Sequence, residues 1–278
     1  MRAIDLEHLG RPKVICCWQV GDVLIDPGPQ SCEETLVEAL NGERPAALLL
    51  THIHFDHAGA SGALVRRWPD LPVYVHERGA RHMADPERLV ASATRLYGEE
   101  DMKRLWGDVV PVPEGNLRVL QGGETGIEGA FRVAYTPGHA SHHVSFLHEE
   151  SGWAFVGDVA GVRIPPYELV LAPTPPPDID VAAWDASIDL VASWKPERLG
   201  ITHWGEVEDP AAQLAACRAA LHEEAEMVAA SEQEAFVAAF RERLAERVPD
   251  EAETYAQALP PHHIWLGLDR WRQVTSDS

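Results

Sequence analysis

Residues 51–59 read Thr-His-Ile-His-Phe-Asp-His-Ala-Gly, which places His52, His54, Asp56 and His57 within one short stretch. Imidazole and carboxylate at this density are the ligand types of a borderline-soft divalent cation. On extended chain the side chains alternate, so His52 and His54 converge on one cation while Ile53 and Phe55 turn toward the core. Asp56 and His57, where a helix begins, then point to a second position a few ångströms away. One such cluster does not saturate two cations, so further ligands must come from elsewhere.

Three later segments have the right form. Thr136-Pro137-Gly138-His139, Val156-Gly157-Asp158 and Ile201-Thr202-His203-Trp204-Gly205 each follow an apolar run that reads as a strand, and each carries a glycine within two positions of the polar residue. A residue just past a strand end can aim into a shared cleft while the backbone turns sharply. A simple division gives His52, His54 and His139 to one cation and Asp56, His57 and His203 to the other, with Asp158 bridging both. Two divalent cations, zinc first and manganese or iron as alternatives, would hold a shared water whose pKa falls from 15.7 to roughly 7. The resulting bridging hydroxide would attack a small ester, lactone or thioester, and Asp56 would pass the proton to the leaving group. Asp26 has no room in this ligand set and is expected to orient the metal loop by hydrogen bonds.

The order His52-x-His54-x-Asp56-His57, Thr-Pro-Gly-His139, Gly-Asp158 and Thr-His203, preceded by Ile25-Asp26-Pro-Gly, resembles the metallo-β-lactamase superfamily over roughly residues 13–205. The resemblance implies an αββα sandwich with a dimetal site at one edge. Asp158 points to the broader hydrolase branch, because β-lactamases with a histidine-rich site generally lack the bridging aspartate. Glyoxalase II-like thioesterases read T-P-G-H-T-x-G-H, whereas this chain continues Ala140-Ser141-His142-His143, with no evident basic residues for glutathione after Asp158. Lactonases of the superfamily place a tyrosine over the metals; Tyr167, nine residues beyond Asp158, is the candidate, set against a plain packing role. Two other activities resemble this core, a phosphodiesterase and a persulfide dioxygenase with one iron on two histidines and an aspartate. The complete second set, Asp56, His57 and His203, argues against the latter.

The elements that must position these residues are short apolar runs separated by turn signals. Val14–Val20 and Val23–Ile25 flank Gly21–Asp22, a two-residue hairpin connection. Further strands are expected at Ala46–Leu50, Val73–Val75, Leu117–Leu120, Phe131–Tyr135, His143–Leu147, Trp153–Val156 and near Arg198–Thr202. Helices are expected from Ser31 or Cys32 to Leu40, and at Ala58–Arg67, Pro86–Tyr97, Glu99–Trp106 and Val181–Trp194. Strands interleaved with helices predict an α/β fold of two sheets with helices outside them, which the resemblance makes an αββα four-layer sandwich. Residues 162–180 carry six prolines and can be neither regular helix nor central strand. From Pro210 the composition turns to Ala, Glu, Arg and Leu at helical spacing, so the chain divides into a catalytic domain at 1–205 and a C-terminal helical extension at 206–278. That tail is expected either to cap the cleft or to carry a homo-oligomer contact.

The other histidines have blander readings. His8, His148 and His222 are expected to face solvent, His76 and His82 to lie outside the cleft, and His262 and His263 to form a turn. His142 and His143 are expected to start a strand and brace the metal loop, and Trp204 to wall the cleft.

The chain has 278 residues with 23 Lys+Arg against 44 Asp+Glu, a formal net charge of −21. Such a surface repels polyanions, so nucleic acid is not expected as a partner and a small molecule is. No run long enough to cross a membrane and no signal-peptide pattern is present, which makes the cytoplasm the expected compartment. Cys16, Cys17, Cys32 and Cys217 show no C-x-x-C spacing and read as reduced core residues.

Overall fold

A computed structural model describes residues 1–276. Two sheets lie face to face between helical layers. The first has six strands in order β1 (Arg2–Asp5), β2 (Cys16–Val20), β3 (Val23–Ile25), β4 (Ala47–Leu49), β5 (Val73–His76) and β6 (Leu117–Leu120). The second has five, running β11 (Gly205–Val207), β10 (Arg198–Ile201), β9 (Trp153–Phe155), β8 (Val144–His148) and β7 (Phe131–Tyr135). Strands β3 to β6 pair in parallel, as do β9 and β10, so their C-terminal ends share one edge of each sheet. Edges of that kind are where parallel sheets build ligand sites.

Both faces of the first sheet are apolar, and strand alternation sorts them. Cys16, Trp18, Val23, Ile25, Ala47 and Leu49 point inward and meet Phe131, Val133, Val144, Phe146 and Phe155 of the second sheet. The residues between them, Cys17, Leu24 and Leu48, face outward with Val73 and Val75 onto Leu36 and Val37 of α1 (Glu33–Ala39) and Leu64 and Val65 of α3 (Ser61–Arg67). Between β4 and α3 lies the single-turn helix α2 (Phe55–Ala58). Three further helices, α4 (Glu77–Ala84), α5 (Glu87–Tyr97) and α6 (Glu99–Trp106), fill the β5–β6 connection.

The outer face of the second sheet is covered by α7 (Val181–Ser193) and by the C-terminal helices α8 (Pro210–Ala229), α9 (Gln233–Arg247), α10 (Ala252–Ala258) and α11 (Pro261–Ser276). Ala154, Val156, Leu199 and Ile201 of that face meet Trp184 and Ile188 of α7, Leu214 and Leu221 of α8 and Phe236 and Phe240 of α9 in one buried cluster. This gives the expected four layers, with helices outside two sheets. All four cysteines are buried and unpaired, as core packing requires. Among the described residues no helix is long and apolar enough to cross a membrane.

Candidate metal centre

The hydrophobic strand β4 ends at Leu49, and the chain runs extended through His54, whose backbone sits in the β region and caps α2. That geometry turns Ile53 and Phe55 into buried surroundings and leaves His52 and His54 together. His139 follows β7, Asp158 follows β9 and His203 follows β10. Gly138 makes the first of these turns possible. Its φ is +132°, and a Cβ there would collide with the Trp184 backbone.

The structure brings all seven candidate ligands together in three overlapping groups: His52, His54 and His139; His52, His57 and Asp158; and Asp56, His57 and His203. His52 Nε2 and His139 Nε2 each lie 3.0 Å from His54 Nδ1. Asp158 lies between the two sets, its Oδ2 3.3 Å from His139 Nε2 and its Oδ1 3.3 Å from His57 Nε2. Asp56 Oδ2 is 3.4 Å from His203 Nε2 and 3.8 Å from His57 Nε2.

The far sides of the His52, His57, His139 and His203 rings are tied down, which fixes their tautomers. His139 Nδ1–H donates to Pro173 O at 2.7 Å and His203 Nδ1–H to Val14 O at 2.6 Å, so each Nε2 lone pair faces the centre. Asp26 accepts from Thr51 N and Oγ1, from Thr202 Oγ1 and from His57 Nδ1. Because the Thr51 hydroxyl donates to Asp26, it accepts from His52 Nδ1–H at 3.1 Å. One carboxylate therefore orients candidate ligands of both sets, the role expected of Asp26.

The donor set fits divalent cations on an independent observation. His57 Nε2 and Asp158 Oδ1 are buried and face each other at 3.3 Å, yet neither makes a well-aligned hydrogen bond to any group. Buried polar atoms are rarely left in that state without a reason. Burial and the neighbouring imidazoles push His52 well below its ordinary pKa, and burial brings His54 to about 4. Burial alone would lower His57 too, but the carboxylates of Asp158, Asp56 and Asp26 outweigh it and hold its pKa up. Three carboxylates gathered in one place demand positive charge, and the neutral lone pairs of His52, His54 and His139 beside them offer it a seat.

Other expectations divide. His142 does brace the metal loop, its Nδ1 accepting from Ile53 N at 3.4 Å, and His143 precedes β8 with its Nδ1 3.0 Å from Thr136 Oγ1. Tyr167 is not in the cleft. A turn closed by Tyr167 N on Ile164 O sends the ring to the C-terminal helices, where its hydroxyl donates to Asp250 Oδ2. Trp204 likewise packs into the core clusters and does not wall the cavity. Three histidines read as peripheral do line it: His8, buried and stacked on Trp106 at 5.4 Å; His82; and His263, buried on α11 rather than in a turn.

That cavity, about 1140 Å³, opens over His54, Asp56, Asp158 and His203. Its walls come from α4, α5, the proline-rich loop and, at Leu259, Pro260, His263 and Ile264, from the C-terminal helices. Sequence reasoning missed Tyr97 and Trp106, which pack edge-on at 5.7 Å in this wall, and the arginines of α4 and α5. The helical spacing of Arg88, Ser92 and Arg95 was the available signal.

A fold of two mixed sheets between helices, with histidines and aspartates gathered at their edge, defines a class of metal-dependent hydrolases. The sequence pattern of the metallo-beta-lactamase superfamily matches residues 21–203, and the chain belongs to that superfamily. It is similar to the metallo-beta-lactamase fold-containing protein ST1585 of Sulfurisphaera tokodaii, 28% identical over 69% of this chain and 72% of the relative. The crystal structure of that archaeal protein superposes with a TM-score of 0.64, covering 94% of this chain and 93% of the other at 22% identity. The hydroxyacylglutathione hydrolase of Xanthomonas euvesicatoria is 32% identical over 49% of this chain, a match spanning 40% of that enzyme. TTHA1623, solved in a di-iron-bound form, is 30% identical with a TM-score of 0.52, covering 73% of this chain and 91% of its own.

Proposed function

We propose that the protein is a dimetal hydrolase acting on a small ester, lactone or thioester. The observation that carries this reading is the position of Asp158, whose two oxygens face different ligand sets at 3.3 Å each. His52, His54 and His139 would hold one cation and Asp56, His57 and His203 the other. Such a pair, when bound, supplies Lewis acidity toward a carbonyl oxygen and a water deprotonated near neutral pH.

The chain's own residues do the rest. Asp56 is the most exposed carboxylate of the cluster, 22% accessible, and it borders the cavity. With Oδ2 turned to His57 and His203, its Oδ1 is free to take a proton and hand it to the leaving group. Ile53, Phe55 and Trp106 give the cavity an apolar wall that keeps bulk water from the reacting carbonyl. The hydroxyacylglutathione hydrolases among its relatives favour a thioester, and the di-iron-bound relative favours iron beside zinc and manganese as the cation.

Metal analysis of the purified protein, with a panel of p-nitrophenyl esters, lactones, thioesters and phosphodiesters, tests the reading. Two cations per chain and turnover of the acyl compounds are expected, with both lost in Asp158→Ala. A single iron with oxygen uptake would replace this reading by the dioxygenase, and turnover of phosphodiesters alone by the phosphodiesterase.

A further inference from the structure

The cavity over the metal centre differs in charge from the molecule around it. The chain carries a formal net charge of −21, yet Arg78, Arg81, Arg88 and Arg95 all line this one cavity. Apart from Asp56 and Asp158 of the metal centre, the carboxylates lining it are Glu77 and Asp178. Several guanidinium groups elsewhere are engaged in ion pairs, such as Arg218 with Asp185 and Asp189 and Arg243 with Glu223. Among the described residues none of the four cavity arginines has a salt bridge: Arg78 lies over the Tyr135 ring, Arg81 donates to His82 Nε2, and Arg88 and Arg95 have no side-chain hydrogen bond.

Helix α5 explains how the charges are presented. Arg88, Ser92 and Arg95 recur at i, i+4 and i+7 and form one stripe, while Leu89, Ala93 and Leu96 form the adjacent one. Both stripes border the cavity, and no residue of α5 is fully buried. A helix that spends its apolar stripe on a cavity and its basic stripe beside it offers an amphipathic ligand both halves of a site. His82, also in the wall, feels the same field, since burial lowers its pKa and Arg81 and Arg88 lower it further.

Resting on the reading of this centre as an acyl hydrolase, we propose that its substrate is an ester or thioester bearing a phosphate group, with Arg78, Arg81, Arg88 and Arg95 as the specificity-determining residues. Four guanidinium charges against Glu77 and Asp178 leave a surplus of two among these groups. A phosphate monoester near its dianionic state matches that surplus, and its oxygens suit the planar guanidinium fork. The cavity of about 1140 Å³ also exceeds what a minimal ester needs.

The test uses the metal-loaded protein and three thioesters of one acyl chain whose thiol ends in a hydroxyl, a carboxylate or a phosphate monoester. The phosphorylated compound is expected to have a kcat/KM roughly tenfold or more above the hydroxyl compound, chiefly through KM and shrinking as salt rises. In R88E/R95E, with folding checked by circular dichroism, that ratio collapses to one or inverts. A wild-type ratio of one, a ratio untouched by R88E/R95E, or equal preference for the carboxylate overturns the proposal. Cleavage of the hydroxyl compound without a phosphate preference sinks this inference and leaves the hydrolase reading standing. If none of the three is cleaved the hydrolase reading fails instead, and calorimetry with the uncleavable phosphorylated thioether decides the binding claim. Tight binding by the wild type and loss in R88E/R95E supports it, and equal binding overturns it.

Discussion

At the scale of single residues, two buried carboxylates outside the proposed ligand set govern it. Asp26 collects four donors from segments that follow β4, β10 and the metal loop. Asp26→Asn is expected to weaken metal affinity roughly ten- to a hundredfold, measured by chelator competition, because the orientation of His57 and His52 depends on it. Unchanged affinity would show that the rings are held by packing alone. Glu224 on α8 is fully buried; its Oε1 accepts from Ala172 N, and the next carbonyl, Pro173 O, orients His139. Burial pushes its carboxyl up to about 8, although the Ala172 N–H and Arg243 pull the other way. The unfolded chain ionises Glu224 near 4.5 and the folded one near 8, so the proton it keeps stabilises the fold at low pH. That stabilisation is lost progressively as pH climbs from about 4.5 to about 8. Glu224→Gln should therefore raise the melting temperature at pH 8.5 more than at pH 6; equal shifts at both would refute the assignment. The candidate ligands were legible because they are contiguous or sit at strand ends near glycine. Asp26 could be placed by elimination, whereas Glu224, His8 and His263 meet the site only through packing that no local pattern encodes.

Among elements, the turn after β7 is the most constrained. A methyl group at Gly138 would run into the backbone of α7 at Trp184, from a φ that L-residues rarely adopt. Gly138→Ala is expected to cost about 3 kcal/mol or more and to lower metal content, since His139 is the next residue. Thermal denaturation and metal analysis check both, and a protein with wild-type stability and metal would mean that α7 yields easily. Alternating apolar residues made most strands readable, β2 to β4 above all, because both faces of that sheet are buried. Edge strands escaped: β1 offers only Ile4 as a fully buried residue, and β11 is three residues long. Helix α4 escaped as well, its Glu-Arg-Gly-Ala-Arg-His-Met-Ala carrying few apolar residues and burying only Gly79 and Met83. The expected helix at 58–67 is two pieces, α2 and α3, since Asp56 and His57 already lie in a helical turn.

For the whole molecule, the C-terminal helices are built into the two-sheet body. Gln213 Nε2 donates to Ala160 O, Cys217 Sγ to Val159 O and Tyr255 Oη to Leu169 O, so they hold the loops behind Asp158 and His139 as well as the outer face of the second sheet. A chain ending before α8 should expose Val159, Val162, Leu171 and Ile201 and fail to fold, rather than act as an enzyme of broader range. Circular dichroism of that truncation decides, and a folded, metal-binding product would make the helices a true appendage. The proposed ligands also arrive in a fixed chain order. The three nitrogens of His52, His54 and His139 exist well before the second sheet receives β10, and His203 is the last ligand to be made. During synthesis a growing chain would hold one nitrogen-rich set before the mixed carboxylate set is complete, which makes the two positions sequential in biosynthesis even though they are neighbours in space.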